Sequence, residues 1–193
     1  MNSTIILLRS TAGSVWRLFC IAVLLASPAA IAQCVNTVAP SCQVYANCFA
    51  KICDCSKSPY EYFTSYGEKY CKTFLDLNGL SSDGRKWRDS TLRCLQENTY
   101  VMLPPTGTPA TCDCKSIQLK AFDQHVACYT QPGNSICDLG AADWVKIADA
   151  ADAVTNLVDQ KSRKQMLEVV KICLPVLAGD AKKSAEQLAE KLK

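Results

Sequence analysis

The chain has 193 residues, 49% of them apolar, and its 21 basic and 18 acidic side chains leave a formal net charge of +3. That length predicts one globular domain with a sizeable core, and the near balance of charge excludes a polybasic surface for nucleic acid or membrane. Thirteen cysteines beside a single histidine point to covalent stapling before catalysis.

Arg9 and Arg17 precede an apolar run over 18–26, and Pro28 and the small-residue site Ala30-Ile31-Ala32 follow it. This pattern reads as a secretory signal peptide over 1–32. No later stretch approaches the roughly 18 to 20 uninterrupted apolar residues of a spanning helix. Residues 33–193 are therefore expected to be secreted, extracellular and free of the membrane. With Cys20 in the leader, twelve cysteines remain: Cys34, Cys42, Cys48, Cys53, Cys55, Cys71, Cys94, Cys112, Cys114, Cys128, Cys137 and Cys173. An even set in an exported chain predicts six disulfides, each adding roughly 3 to 4 kcal/mol in the chain-entropy account.

In chain order, the cysteine-dense segment 34–55 predicts a short helix capped by Ser41, with Val44, Cys48 and Phe49 or Ile52 on one side. Ser58-Pro59-Tyr60-Glu61 predicts the start of a second helix. Ser at the N-cap, Pro at the first position and Glu at the third suit the free N–H groups and the helix dipole. This helix is expected to reach residue 76 or 77 and stop at Asn78-Gly79. Tyr62 or Phe63, Tyr66, Tyr70 and Phe74 give it an aromatic stripe suited to a core. A third helix, capped by Ser81, Ser82 or Asp83, runs to about residue 100 with Trp87, Thr91, Cys94 and Leu95 on one face.

The Pro-rich segment 104–109 cannot continue that helix. A fourth helix follows, with Cys114, Ile117, Phe122, Val126 and Tyr129 inward, and Gln131-Pro132-Gly133-Asn134 is a turn. A fifth helix, capped by Asp138, places Trp144, Ile147, Ala151, Val154 and Val158 at helical spacing. It leaves Asp143, Lys146, Asp149, Asp152 and Asp159 for solvent. A sixth over 161–174 presents Met166, Val169, Val170 and Cys173, and Pro175 stops it. After a helical domain over 33–178, residues 179–193 are expected as a frayed helix or tail with Leu188 and Leu192 as sparse apolar points. No segment alternates like a strand, so the expected fold class is all-α, a disulfide-stapled bundle of about six helices.

No enzyme activity, catalytic residue, cofactor or metal site is expected. His125-Val126-Ala127-Cys128-Tyr129 shares three letters with the His-Asp-x-Cys-Tyr helix of secreted phospholipase A2. Val126 stands where that family has its calcium-ligating Asp, and no Gly-rich calcium loop lies upstream. His125 is accordingly expected to be structural. Cys53-Asp54-Cys55 and Cys112-Asp113-Cys114 would suggest zinc or redox chemistry in a reducing compartment. In an exported chain they are expected to be tied to each other by two neighbouring bridges, with the pairing within the units open. No nucleophile elbow, P-loop, His-Glu-x-x-His or EF-hand loop is present.

Several islands of sequence carry a resemblance. They are Tyr70-Cys71-Lys72-Thr73-Phe74, Gly84-Arg85-Lys86-Trp87 followed by Ser90-Thr91-Leu92-Arg93-Cys94, then Ala127-Cys128-Tyr129, Ile136-Cys137 and the helix ending Ile172-Cys173. With the cysteine order over 34–173, they resemble the stanniocalcin family of secreted hormones. The resemblance implies an all-α extracellular protein without catalysis that acts by contact with another extracellular protein, a receptor or a protease. Vertebrate members of that family are linked to calcium and phosphate balance and to inhibition of pappalysin metalloproteases. It also implies bridges Cys34–Cys48, Cys42–Cys71, Cys94–Cys128 and Cys137–Cys173 and one between the two Cys-x-Cys units, a second bridge there being an addition. The family's subunit-linking cysteine has no counterpart after Cys173, and the sole Asn-x-Ser/Thr sequon, at Asn2, lies in the leader. A monomer or non-covalent dimer without N-glycans is therefore expected. The alternative of a different class is a disulfide-stapled helical carrier that encloses a lipid or other apolar ligand between the aromatic stripe and the fifth helix.

Overall fold

The computed structural model describes residues 34–35, 38–104, 112–155 and 160–192, with backbone alone over 152–155. The expected leader over 1–32, the Pro-rich break over 105–109, the side chains of Asp152 and Val154, and Val158 and Asp159 lie outside the described residues. The chain is all-α, with seven helices and no strand among the described residues. Helix α1 is a wide turn, Tyr45–Phe49, running into Ala50–Ile52; α2 is Phe63–Glu68 continuing as Lys69–Leu75. Then come α3 (Ser82–Tyr100), α4 (Cys114–Tyr129), a short turn Ile136–Asp138, α5 (Ala141–Thr155), α6 (Gln160–Cys173) and α7 (Gly179–Leu192).

Three of the expected helix starts are displaced. Ser41 does not cap α1 with its side chain: its carbonyl accepts from Val44 N–H at 3.2 Å, and the helix begins at Tyr45 after Val44. Ser58 accepts from the Tyr60 N–H at 3.1 Å and closes a local turn, while the Glu61 carboxylate accepts from the N–H groups of Thr64 and Ser65 at 2.8 and 2.7 Å. Glu61 thus lies just before the N-cap residue Tyr62, where its carboxylate meets the first-turn N–H groups, and is not the third helical residue; α2 begins at Phe63. Asp138 likewise belongs to the short turn capped by Ser135, and α5 starts three residues later, where Asp143 and Trp144 N–H groups reach the Gly140 carbonyl. The caps of α3 and α4 are side-chain oxygens: Ser81 Oγ accepts from Gly84 N at 3.0 Å and Asp113 from Ser116 N at 2.9 Å.

Helix α3 is the axis of the packing. Trp87, Thr91 and Leu95 are buried along one face, but so are Leu92, Gln96 and Thr99 beside them, because α2 and α4 flank it. Trp87 Nε1 donates to the Tyr129 carbonyl at 3.1 Å and Thr91 Oγ1 to the Cys128 carbonyl at 3.4 Å, which seats α3 on the end of α4. Helix α2 crosses α1 closely: a Cβ on Gly67 would lie 2.5 Å from the Tyr45 ring, so only glycine fits there. Helix α4 packs on α6, and α7 lies across α5 and α6 instead of fraying, with Ala185 fully buried and Leu192 buried at its end.

All twelve cysteines of the described residues are paired: Cys34–Cys48, Cys42–Cys71, Cys53–Cys112, Cys55–Cys114, Cys94–Cys128 and Cys137–Cys173. Their Cα separations, 4.9 to 5.8 Å, fall in the range a disulfide requires.

Candidate functional site

The two Cys-x-Cys units meet as a double clamp. Cys53 joins Cys112 and Cys55 joins Cys114, so two bridges of the same span, 59 residues, run side by side from the end of α1 to the start of α4. Sγ atoms of Cys53, Cys55 and Cys114 lie within 4.8 Å of one another, close enough for a shared metal ion. Metal binding needs thiolates. As cystines these sulfurs have no charge to offer, and the clamp is a structural joint.

The second concentration of unusual groups is aromatic. Tyr62, just before α2, and Phe63, its first residue, are both buried, and Tyr62, Tyr66 and Tyr70 succeed one another with ring centroids 5.5 and 4.2 Å apart. Phe122 and His125 of α4 close on Tyr66 at 4.6 and 5.9 Å. Next to these rings lies a cavity of about 60 Å³, whose far wall is Trp144, Ile147 and Ala151 of α5 and Met166 and Val170 of α6. Among the described residues, no Asp, Glu, Lys or Arg lines it. Burial pushes the Tyr62 phenol well above its ordinary range, with Tyr45, Tyr66 and Tyr129 nearby reinforcing the shift, and burial does the same to Tyr45 and Tyr129. All three stay protonated and can donate hydrogen bonds.

His125 belongs to this wall. It is 7% exposed, and its Nδ1–H donates to the Ala121 carbonyl at 2.7 Å, which leaves Nε2 as the acceptor nitrogen. Burial lowers its pKa to about 4, so the ring is neutral at physiological pH. Its ring neighbours among the described residues are Tyr62, Tyr66, Phe122 and Tyr129. The geometry makes His125 an aromatic core residue.

A shallow groove of about 120 Å³ lies behind the cavity, between α5 and α7. It shares Trp144, Ala148 and Leu188 with the cavity as a common wall, while Asp149 and Lys191 mark its exposed rim. Trp144 is 2% exposed, and its indole N–H has no hydrogen-bond partner among the described residues. A buried donor in that state typically costs about 1 to 3 kcal/mol.

One residue expected in solvent is buried instead. Asp143 is 3% exposed and accepts from Ser81 N at 2.9 Å and Ser81 Oγ at 2.5 Å, bridging the start of α5 to the cap of α3. A Cβ on Gly84 would lie 2.8 Å from this carboxylate, so the bridge requires glycine there. The signal was present in the spacing: Asp143, Ile147 and Ala150 fall at i, i+4 and i+7, and the last two are core. Lys146, also expected in solvent, reaches the Gly79 carbonyl; Asp149 is exposed as expected.

No helix among the described residues is long and apolar enough to cross a membrane. Compared with protein families, curated proteins and solved structures, the chain matches none of them.

Proposed function

We infer that this chain is a stanniocalcin-like secreted regulatory protein that acts by contact with another extracellular protein and carries out no catalysis. The observation that supports the reading is the cystine framework. Five of its six bridges hold α1 to α4 as one rigid surface, a use of sulfur suited to an oxidising compartment and to presenting a fixed face to a partner. The solitary histidine is consumed in the core and the one cysteine cluster is oxidised, so neither is available for chemistry. A mineral-balance role, as in the vertebrate hormones, is what the sequence resemblance adds.

Carriage of a lipid is the weaker alternative. A cavity stands where that alternative places one, but at about 60 Å³ it is far below the roughly 300 to 1,000 Å³ of a site for a drug-sized ligand. The deciding experiment is capture from extracellular medium by tagged residues 33–193, followed by titration of the captured protein and of a pappalysin metalloprotease with purified protein. Saturable binding to a secreted protein, lost after reduction of the bridges, is the expected result. A stoichiometric lipid seen by native mass spectrometry, with no saturable protein partner, would overturn the reading.

A further inference from the structure

We propose that Asn78 is a self-modification site: the main-chain nitrogen of Gly79 converts the Asn78 amide to a carboxylate beside Lys146, which turns a neutral contact between α5 and the turn after α2 into a charged one. The chemistry needs a free asparagine side chain, an unshielded nitrogen after it, and a backbone that no helix holds. Asn78 and Gly79 are both exposed and follow the end of α2 at Leu75. Among the described residues, neither the Asn78 amide nor the Gly79 N–H has a hydrogen-bond partner. Gly79 sits at φ 77° and has no Cβ to shield its nitrogen.

The reaction balances without an oxidant or reductant. Gly79 N loses its proton and bonds to Asn78 Cγ; the Cγ–Nδ2 bond breaks, and ammonia leaves with a proton in place of the one lost, closing a cyclic imide. Water then opens the ring. Cleavage between Gly79 N and Cγ restores the ordinary chain with aspartate at this position. Cleavage at the main-chain carbonyl instead leaves the chain running through the side chain, as isoaspartate. Either product has gained one negative charge.

The other described asparagines are held. Asn47 lies inside α1 and Asn98 inside α3, where the hydrogen-bond ladder fixes the backbone. Asn134 donates to the Trp87 carbonyl at 3.4 Å and is followed by Ser135, which carries a side chain. At Asn78 the product also has a partner waiting. Lys146 Nζ donates to the Gly79 carbonyl, and a Cβ on Gly79 would lie 3.1 Å from that nitrogen, so the new carboxylate arises one residue from an ammonium group. An exposed pair of this kind is modest in strength and screened by salt. The modification is independent of the protein-contact reading, and either can fail alone.

The test is ageing of the secreted protein, bridges intact, in mildly alkaline buffer at body temperature, read by ammonia release, ion exchange and peptide mapping for isoaspartate. A form more acidic by a single charge should accumulate, modified at Asn78, with Asn47, Asn98 and Asn134 at least about tenfold slower because hydrogen bonds hold them. Asn78→Gln, which would have to close a larger ring, should stop the release at this position. Asn78→Asp reproduces one product. In that background Lys146→Met should shift the unfolding equilibrium about twofold to fivefold more at low salt than at high, whereas with asparagine present salt should make no difference. No acidic form, ammonia release unchanged in Asn78→Gln, conversion at Asn134 as fast as at Asn78, or a Lys146→Met effect in Asn78→Asp that ignores salt would each overturn the proposal.

Discussion

The residues before and after the turn at Gly133 are held together by different means. Five disulfides close within 34–128, and one, Cys137–Cys173, closes within the C-terminal part; none of the six joins the two. Their seam is non-covalent. It consists of α2 against α5 and α4 against α6, with Asp143 on Ser81, Tyr66 OH and Ser162 Oγ 3.2 Å apart, Gln165 on the Phe122 carbonyl, and the aromatic cavity. Disulfides act chiefly by restricting the unfolded chain, so they stiffen each part and leave the relation between the parts to packing. The aromatic cavity lies at this seam, lined by α2, α4, α5 and α6.

The largest effect is expected from cutting a staple of the first part. Cys94→Ser leaves Cys128 as a thiol in a fully buried position between α3 and α4 and should lower stability by about 2 to 5 kcal/mol. Urea unfolding followed by circular dichroism measures it. A loss under 1 kcal/mol would mean that the Trp87 and Thr91 hydrogen bonds to the end of α4 hold the pair without help, and the contrast between the two parts would weaken.

Next in size is a pH effect on the wall of the seam. The folded pKa of His125 is about 4 against 6.5 for the free side chain. Between those values the unfolded chain binds a proton that the folded chain refuses, so stability falls as pH drops from about 6.5 to 4 and this contribution levels off below. The difference corresponds to at most about 3 kcal/mol. Urea midpoints at pH 7 and pH 4 for the natural chain and His125→Leu isolate it, because the carboxylates titrate in both and cancel. Parallel slopes in the two proteins would show that the ring is hydrated in solution.

A smaller effect probes the polar link across the seam. Gly84→Ala drives a methyl group against the Asp143 carboxylate and should destabilise by about 1 to 3 kcal/mol. Asp143→Ala alone leaves Ser81 without its acceptor and should cost a similar amount, about 1 to 3 kcal/mol. Combined, the two changes should cost less than their sum by about 1 kcal/mol, since the second removes the clash created by the first. Additivity within about 0.3 kcal/mol would mean that the two residues do not touch in solution.

The first part was the more legible in the sequence, for a physical reason. Apolar spacing marks a helix face wherever the partner is one-sided, as with Trp87, Thr91 and Leu95, and Ser81 marks a start because its hydroxyl has one task. Leu92, Gln96 and Thr99 escaped because a helix flanked on two sides buries more than one stripe. Glu61 misled because a carboxylate suits both a position before the helix and its third position, and here it serves the former, accepting from Thr64 and Ser65. The seam was nearly silent. The spacing of Asp143 with Ile147 and Ala150 marks it for burial, but not its partner, Ser81, 62 positions away, and Trp144 reads as plain core because nothing in spacing tells whether an indole N–H finds an acceptor.

The smallest expected effect separates the buried seam from its edge. Lys146 Nζ donates to the carbonyl of Gly79, a residue in the left-handed region at φ 77°, and this contact links α5 to the turn after α2 at the solvent boundary. Water competes for both groups there, so Lys146→Met should cost no more than about 1 kcal/mol. The acceptor is neutral, so the cost should be the same at low and high salt, unlike that of an ion pair. Chemical denaturation in 20 mM and 500 mM salt, concentrations chosen at roughly the extremes of screening, provides the comparison. If Lys146→Met proved as damaging as Gly84→Ala, the two parts would be held from their rim, and the cavity wall would be free to open without first breaking the Asp143 link.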